Sequence, residues 1–232
     1  MILSRTNNFI FLKTTKTAGT SFEIALSKYA GPDDVVTPIS DEDELTRAQL
    51  GYRGPQNYLD APTLLDRIGL RRQRRLFSNH IPAALVRERI GHEAFGRFYK
   101  VAVVRNPYDL TVSRYYWSHR KQGNTSPEHF RKWLLSRPDI LRKNFNITHI
   151  DGRCAVDFMM RYENLEDDIG AFASKVGLPD TLFAEFSALK AKGHYRPKDA
   201  GTSELFSGFG EGKAVVADIF AHDIADYGYT CP

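Results

Sequence analysis

Cysteine is scarce: the chain has two in 232 residues, Cys154 and Cys231. They form neither a disulfide framework nor a zinc-ligand spacing, which suits a reducing compartment. No apolar run approaches the ~20 residues of a membrane-spanning helix, and Met1 to Leu12 holds no signal-peptide core. These absences lead us to expect a cytoplasmic protein without a membrane span. Charge of one sign is also in short supply, since 32 basic against 28 acidic residues leave a net +4. The basic residues are dispersed apart from Arg71, Arg72, Arg74 and Arg75, a run that reads either as a solvated face or as an attraction for an anionic glycan. An anionic ligand fits this balance, and nucleic acid is not expected as a partner. The chain also lacks the triphosphate loop GxxxxGK[ST]. No acidic pair follows a strand as a magnesium site would require, so no metal is expected. Neither a repeat nor a low-complexity tract occurs.

The composition, 42% hydrophobic and 26% charged, is that of an ordinary globular chain. We expect one domain over residues 1–232. Apolar runs at Asn8 to Leu12, Arg75 to Ser78, Tyr99 to Val104 and Val156 to Tyr162 predict buried strands. Helical spacing recurs at Ser21 to Tyr29, Pro107 to His119, Pro127 to Ser136, Leu165 to Val176, Asp180 to Lys190 and Gly212 to Ala225. The alternation predicts an α/β class, a three-layer P-loop-like fold with a central, mostly parallel sheet flanked by helices. Residues 31–73, rich in Pro, Gly and acidic side chains, read as an insertion or lid. Asn144 to Arg153 and Gly193 to Gly212 read as irregular segments suited to acceptor recognition and cofactor closure.

The most informative segment is Lys16-Thr17-Ala18-Gly19-Thr20-Ser21, which lies between the first strand and a helix. A glycine there lets backbone N–H groups close on an anion, and the helix start favours negative charge. Lys16 supplies a cation, and Thr17, Thr20 and Ser21 supply hydroxyls. Lys13 also reaches towards this crevice, but Lys16 lies in the loop itself. In an open parallel sheet, ligands bind beyond the carboxyl ends of the strands. His80 after the second predicted strand and Arg105 after the third then face the same crevice. Asn106-Pro107-Tyr108-Asp109 has helix-start chemistry, with Asn106 as cap and Pro107 at the first helical position. Ser113 follows one to two turns later, so Arg105 and Ser113 can hold one phosphate from two sides.

Together these two segments resemble the cofactor motifs of the sulfotransferase family, in particular its carbohydrate-modifying branch. In that family the first motif holds the 5′-phosphosulfate of 3′-phosphoadenosine 5′-phosphosulfate (PAPS), and the second holds its 3′-phosphate. Ser78-Asn79-His80-Ile81-Pro82, Arg161-Tyr162-Glu163-Asn164-Leu165 and the stretch Phe220 to Tyr229, with Asp223, Tyr227 and Gly228, resemble further family segments. Thr15 stands where family members often carry proline. The resemblance implies transfer of a sulfuryl group from PAPS to a hydroxyl on a carbohydrate or small metabolite. It implies PAPS contacts from Lys16, Thr17, Ala18, Gly19, Thr20, Ser21, Arg105 and Ser113, with Lys16 and His80 as catalytic groups.

Several residues keep two readings at this stage. His80 is either a general base or a strand-terminal histidine bonded to backbone, with Glu163, His92, His149 and His194 as rivals. Arg196 and Lys198 either close over the nucleotide or lie in a solvated loop. Tyr115, Tyr116 and Trp117 either stack on a ring or fill the core. Two other classes compete with the sulfotransferase reading: a P-loop-type kinase, and a non-catalytic nucleotide-binding protein. Oligomeric state and acceptor identity have no readable motif.

Overall fold

A computed structural model describes residues 1–61, 66, 73–121, 125–189, 196–197 and 200–232. The chain opens with strands β1 (Ile2–Ser4) and β2 (Phe9–Phe11), helix α1 (Gly19–Ser27), strand β3 (Val35–Val36) and helix α2 (Asp41–Gln49). Helices α3 (Ala83–Ile90) and α4 (His92–Arg97), strand β4 (Tyr99–Val104) and helices α5 (Pro107–His119), α6 (Pro127–Ser136) and α7 (Lys143–Thr148) follow. A hairpin of β5 (His149–Ile150) and β6 (Arg153–Cys154) leads to β7 (Phe158–Arg161) and helices α8 (Leu165–Val176) and α9 (Leu182–Ala188). Helices α10 (Thr202–Phe206), α11 (Gly210–Ile219) and α12 (Ala221–Tyr227) close the chain.

The main sheet has the order β3-β1-β2-β4-β7. Pairing is parallel for β2 with β4 and β4 with β7, but antiparallel for β1 with β2 and β1 with β3. The sheet is therefore mixed, which corrects the expected mostly parallel arrangement. Two short strands on one side of the sheet, β1 and the edge strand β3, account for the difference: three and two residues long, they are too brief to show a period. The run Arg75 to Ser78 is not a sheet strand either, its only ladder contact being an isolated bridge from Arg75 to Leu59. Phe77 is buried there as a core side chain, which explains the apolar signal without a strand.

Side chains alternate across the sheet with period two. Phe9, Phe11, Val101 and Val103 face one core, against Phe22, Ala25 and Leu26 of α1 and Ile169, Phe172 and Ala173 of α8. Ile10, Leu12 and Ala102 face the other, against Ala83 and Val86 of α3, Phe95 of α4, Ile81 and Ile147. Strands apolar on both faces need cover on both, and the helices supply it. A third cluster lies among helices, joining Tyr108, Leu110, Val112 and Tyr115 of α5 to Phe130, Trp133 and Leu134 of α6 and to Phe206 and Val216.

Helix boundaries follow local chemistry. Asn106 Oδ1 accepts from Tyr108 N (3.0 Å) ahead of Pro107, and Ser126 Oγ accepts from His129 N (3.2 Å) ahead of Pro127. A cap followed by proline at the first helical position fixes both starts. The expected helix from Gly212 to Ala225 is instead two, α11 and α12, separated at Phe220.

Phe172 packs edge-on against Phe9 (5.2 Å between centroids) and Phe22 (5.9 Å), bridging sheet and α1. Phe172→Ala is expected to cost about 3–5 kcal/mol, the usual loss when a buried aromatic leaves a cavity. Urea unfolding of wild type and variant measures it; a loss below about 1 kcal/mol would show that the helix layer repacks freely.

Candidate functional site

The parallel half of the sheet delivers the loop. Leu12 N donates to Val101 O (2.8 Å) and Thr14 Oγ1 to Val103 O (2.6 Å), so the chain stays registered to β4 past the end of β2. It then turns sharply. Lys16 (φ 64°) and Ala18 (φ 57°) are left-handed, whereas Thr17 and Gly19 are not. Alternating handedness over successive residues turns their N–H groups towards one concavity, the geometry of an anion nest. Left-handed conformations cost energy in residues with a Cβ and persist only where the surroundings impose them. Gly19 is needed for close approach, because a Cβ there would sit 2.9 Å from Lys13 Cγ. Helix α1 begins at Gly19 without a side-chain cap or an acidic residue in its first turn. Its first N–H groups have no intrahelical acceptors.

Two clamps hold this loop. Asn144 Oδ1 accepts from Thr15 N (2.8 Å) and Thr15 Oγ1 (2.7 Å), while Asn144 Nδ2 donates to Thr15 O (3.0 Å). Proline at position 15 could not donate the first of these bonds, so threonine fits a loop tied to α7. Arg105 NH1 donates to Lys16 O (2.8 Å), locking the second expected anion site to the first. Arg105 also donates through Nε (2.8 Å) and NH2 to Asp109 Oδ2, and its guanidinium lies 4.0 Å over the Tyr162 ring. Of five guanidinium donors, three are used in these bonds. The remainder can meet a ligand.

A cleft of about 500 Å³ collects the residues that the sequence singled out: Lys16, Thr17, Ala18, Gly19, Thr20 and Ser21, with His80, Arg105, Ser113 and Arg196. Among the described residues, Lys13, Lys16, Arg105, Arg114, Lys143 and Arg196 line it against one carboxylate, Asp43. Ile39, Ser40 and Asp43 bring part of residues 31–73 to its wall. Lys13 and Lys16 meet different groups. Lys13 Nζ donates to buried Glu23 Oε2 (2.8 Å), whereas Lys16 Nζ lies 4.6 Å from the Trp117 ring centroid. Burial would raise the Glu23 pKa, but the charges of Lys13 and the Met1 amino group outweigh it and hold it at about 2.

His80 does not follow a sheet strand; it sits in the turn before α3. It reaches the loop by another route, since its Nδ1 lies 2.8 Å from Lys13 O. A carbonyl only accepts, so Nδ1 carries the proton and Nε2 the lone pair. Burial lowers the His80 pKa to about 4, with the charges of Lys13 and Lys143 acting in the same direction. The imidazole is neutral at pH 7.

Arg196 is gathered in by Asp109, whose Oδ1 accepts from Arg196 NH1 (2.5 Å) and from Thr202 Oγ1 (2.6 Å). Burial would raise the Asp109 pKa, yet Arg105's charge and the bonds from Thr202, Arg196 and Arg105 hold it at about 2. Among the rivals of His80, Glu163 accepts from Asn106 N (2.7 Å) and Tyr229 OH (2.9 Å), a structural role. His149 stacks on Phe145 at 3.9 Å, and His92 is exposed at the start of α4; neither lines the cleft. Tyr115 is core, while Tyr116 and Trp117 reach the cleft. Arg71, Arg72, His194 and Lys198 lie outside the described residues.

Sequence reasoning missed Arg114 and Lys143. Arg114 follows Ser113 directly, and only the helix phase could have shown that both neighbours reach the cleft. Lys143 lies one residue before Asn144 to Arg153, the stretch that read as irregular, and outside every expected helix and strand.

Fold and site thus define a class: a mixed α/β protein with a basic, loop-lined cleft suited to anions. The chain is 33% identical to an uncharacterized protein of Archaeoglobus fulgidus over 106 residues, 44% of this chain and 87% of that relative. The chain belongs to that protein's family. No family model matches the chain, and no solved structure matches it. Among the described residues, no helix is long and apolar enough to cross a membrane, and no group of three or more His, Cys, Asp or Glu side chains could hold a metal.

Asp109 generates a pH prediction. Its folded pKa is depressed from 3.8 to about 2, so its contribution is present above pH 3.8 and is lost as pH falls towards 2. Asp109→Asn is expected to lose about 2 kcal/mol at pH 7 and to flatten that acid limb. Urea unfolding at pH 7 and pH 2.5 tests this; parallel pH profiles for the two proteins would exclude the linkage.

Proposed function

We propose that this protein is a PAPS-dependent sulfotransferase with a three-layer P-loop-like fold, acting on a hydroxyl of a carbohydrate or small metabolite. The observation that carries the reading is the convergence of the Lys16 loop, Arg105 with Ser113, and His80 on one cleft with six cationic residues and one carboxylate. The cleft fits the donor: the nest and uncapped start of α1 suit one phosphate group, and the spare Arg105 donors with Ser113 suit a second. Trp117 and Tyr162 line the cleft beside these groups, their rings packed against Lys16 and Arg105.

When bound, PAPS supplies a sulfuryl group, its S–O bond to the 5′-phosphate breaking as a bond to the acceptor oxygen forms. Lys16 and the loop N–H groups stabilise the negative charge left on the phosphate oxygen, an electrostatic contribution that grows as water is excluded. His80 Nε2 takes the acceptor proton. Its low basicity in the free protein follows from burial and the lysine charges, and a bound anion offsets those charges and raises it. Arg105 ties the two anion sites together through Lys16 O.

Calorimetry with adenosine 3′,5′-bisphosphate and with ATP, each with and without magnesium, tests the reading. Preference for the bisphosphate is expected, and preference for magnesium–ATP would favour a kinase. Arg105→Ala is expected to weaken the bisphosphate by about tenfold or more while barely changing adenosine 5′-phosphate. Equal losses would detach Arg105 from the 3′-phosphate. Lys16→Ala is expected to abolish transfer with the fold intact by circular dichroism. His80→Ala is expected to keep bisphosphate affinity and lose transfer; persistent activity would remove His80 as base.

A further inference from the structure

Two cations in the cleft are surplus to the donor. The donor reading employs the Lys16 loop, Arg105 and Ser113, and Arg196 is engaged by Asp109. Arg114 and Lys143 remain. Arg114 is only 8% exposed, yet no carboxylate pairs with it among the described residues. Its NH2 donates to Thr15 Oγ1, and its Nε is buried without a hydrogen-bond partner. An unpaired donor on a buried charge is costly, and among the described residues no acceptor meets Arg114 Nε. Lys143, at the first position of α7, lines the same wall. Arg114 and Lys143 line the same cleft, and burial and then the charge of Arg114 lower the lysine's pKa. His80 lines that cleft too, and the charge of Lys143 also acts on it. Asn79, the neighbour of His80, lines the same cleft, and its Oδ1 is buried without a partner. The wall therefore combines a guanidinium and an ammonium suited to an oxyanion with an acceptor suited to a hydroxyl.

We infer that the acceptor is a hydroxylated carboxylate, its carboxylate held by Arg114 and Lys143 and its hydroxyls directed to Asn79 and His80. This rests on the sulfotransferase reading and names the substrate class for it. Transfer leaves the carboxylate untouched: the hydroxyl oxygen forms the new S–O bond, and its proton passes to His80.

The test is calorimetric binding of D-glucuronate and D-glucose to the full chain saturated with adenosine 3′,5′-bisphosphate. Glucuronate is expected to bind about tenfold or more tightly than glucose, a typical return from charge-assisted bonds. Arg114→Met and Lys143→Met are each expected to cut glucuronate affinity about tenfold while bisphosphate affinity stays within about twofold. Lys143 is exposed, so its variant reports even where Arg114→Met folds poorly. Equal binding of the two sugars, no glucuronate binding, or unchanged glucuronate affinity in Lys143→Met overturns the inference and leaves the donor reading standing. Loss of bisphosphate affinity in Lys143→Met as large as in Arg105→Ala also overturns it, by assigning the lysine to the donor. A wild type that does not bind the bisphosphate defeats the sulfotransferase reading instead. Glucuronate against glucose on the free protein then decides the oxyanion wall by itself.

Discussion

The buried ion pair between Lys13 and Glu23 is the constraint on which the cleft depends. It ties Lys13, two residues past the end of β2, to the middle of α1, 2.8 Å apart, and neither side chain is more than 3% exposed. Everything between them has to fit that closure: the left-handed residues at 16 and 18, and the bare Cα of Gly19 against Lys13. Breaking such a pair leaves an uncompensated charge in the interior, so the closure is costly to undo. The same carboxylate accepts from Thr37 Oγ1 (2.9 Å), next to the β3 edge, so the segment carrying Ser40 and Asp43 is anchored to the loop as well.

The cleft manages its positive charge by spending some of its cations internally. Lys13 answers Glu23, and Arg105 and Arg196 share Asp109. Lys16 lies over Trp117, whose ring also meets Arg120 at 4.0 Å. These partners hold the basic groups in position while leaving donors over, a form of preorganisation that reduces the entropy a ligand must remove. His80 benefits indirectly. Its fixed tautomer is set by a backbone carbonyl of the residue that pairs with Glu23, so its lone pair depends on the same closure.

Much of the scaffold could be read from residues alone where local chemistry decides. Pro107–His119, Pro127–Ser136 and Leu165–Val176 have the expected bounds because caps, prolines and a glycine act within a few residues. β2, β4 and β7 follow from short apolar runs. The short strands β1 and β3 escaped because two or three residues show no period, and only pairing across the sheet makes them strands. Arg75 to Ser78 misled for the converse reason: Phe77 is buried, but the backbone pairs with Tyr58 and Leu59 in an isolated bridge and not with the sheet. Helices α2, α3, α4 and α10 are short, and packing rather than propensity stabilises them.

At the site, the amino-acid order determined which groups were available: a lysine–glycine–hydroxyl loop between strand and helix, an arginine ahead of a capped helix, and a histidine. It did so because these features are local, each within about two turns of backbone. The tertiary structure decided which of them meet. His80 arrives by a turn and a carbonyl instead of a strand end, Lys13 is withdrawn to Glu23, and Arg114 and Lys143 join the cleft from α5 and α7. Those outcomes depend on distances between elements far apart in sequence, which packing sets and residue order does not encode locally.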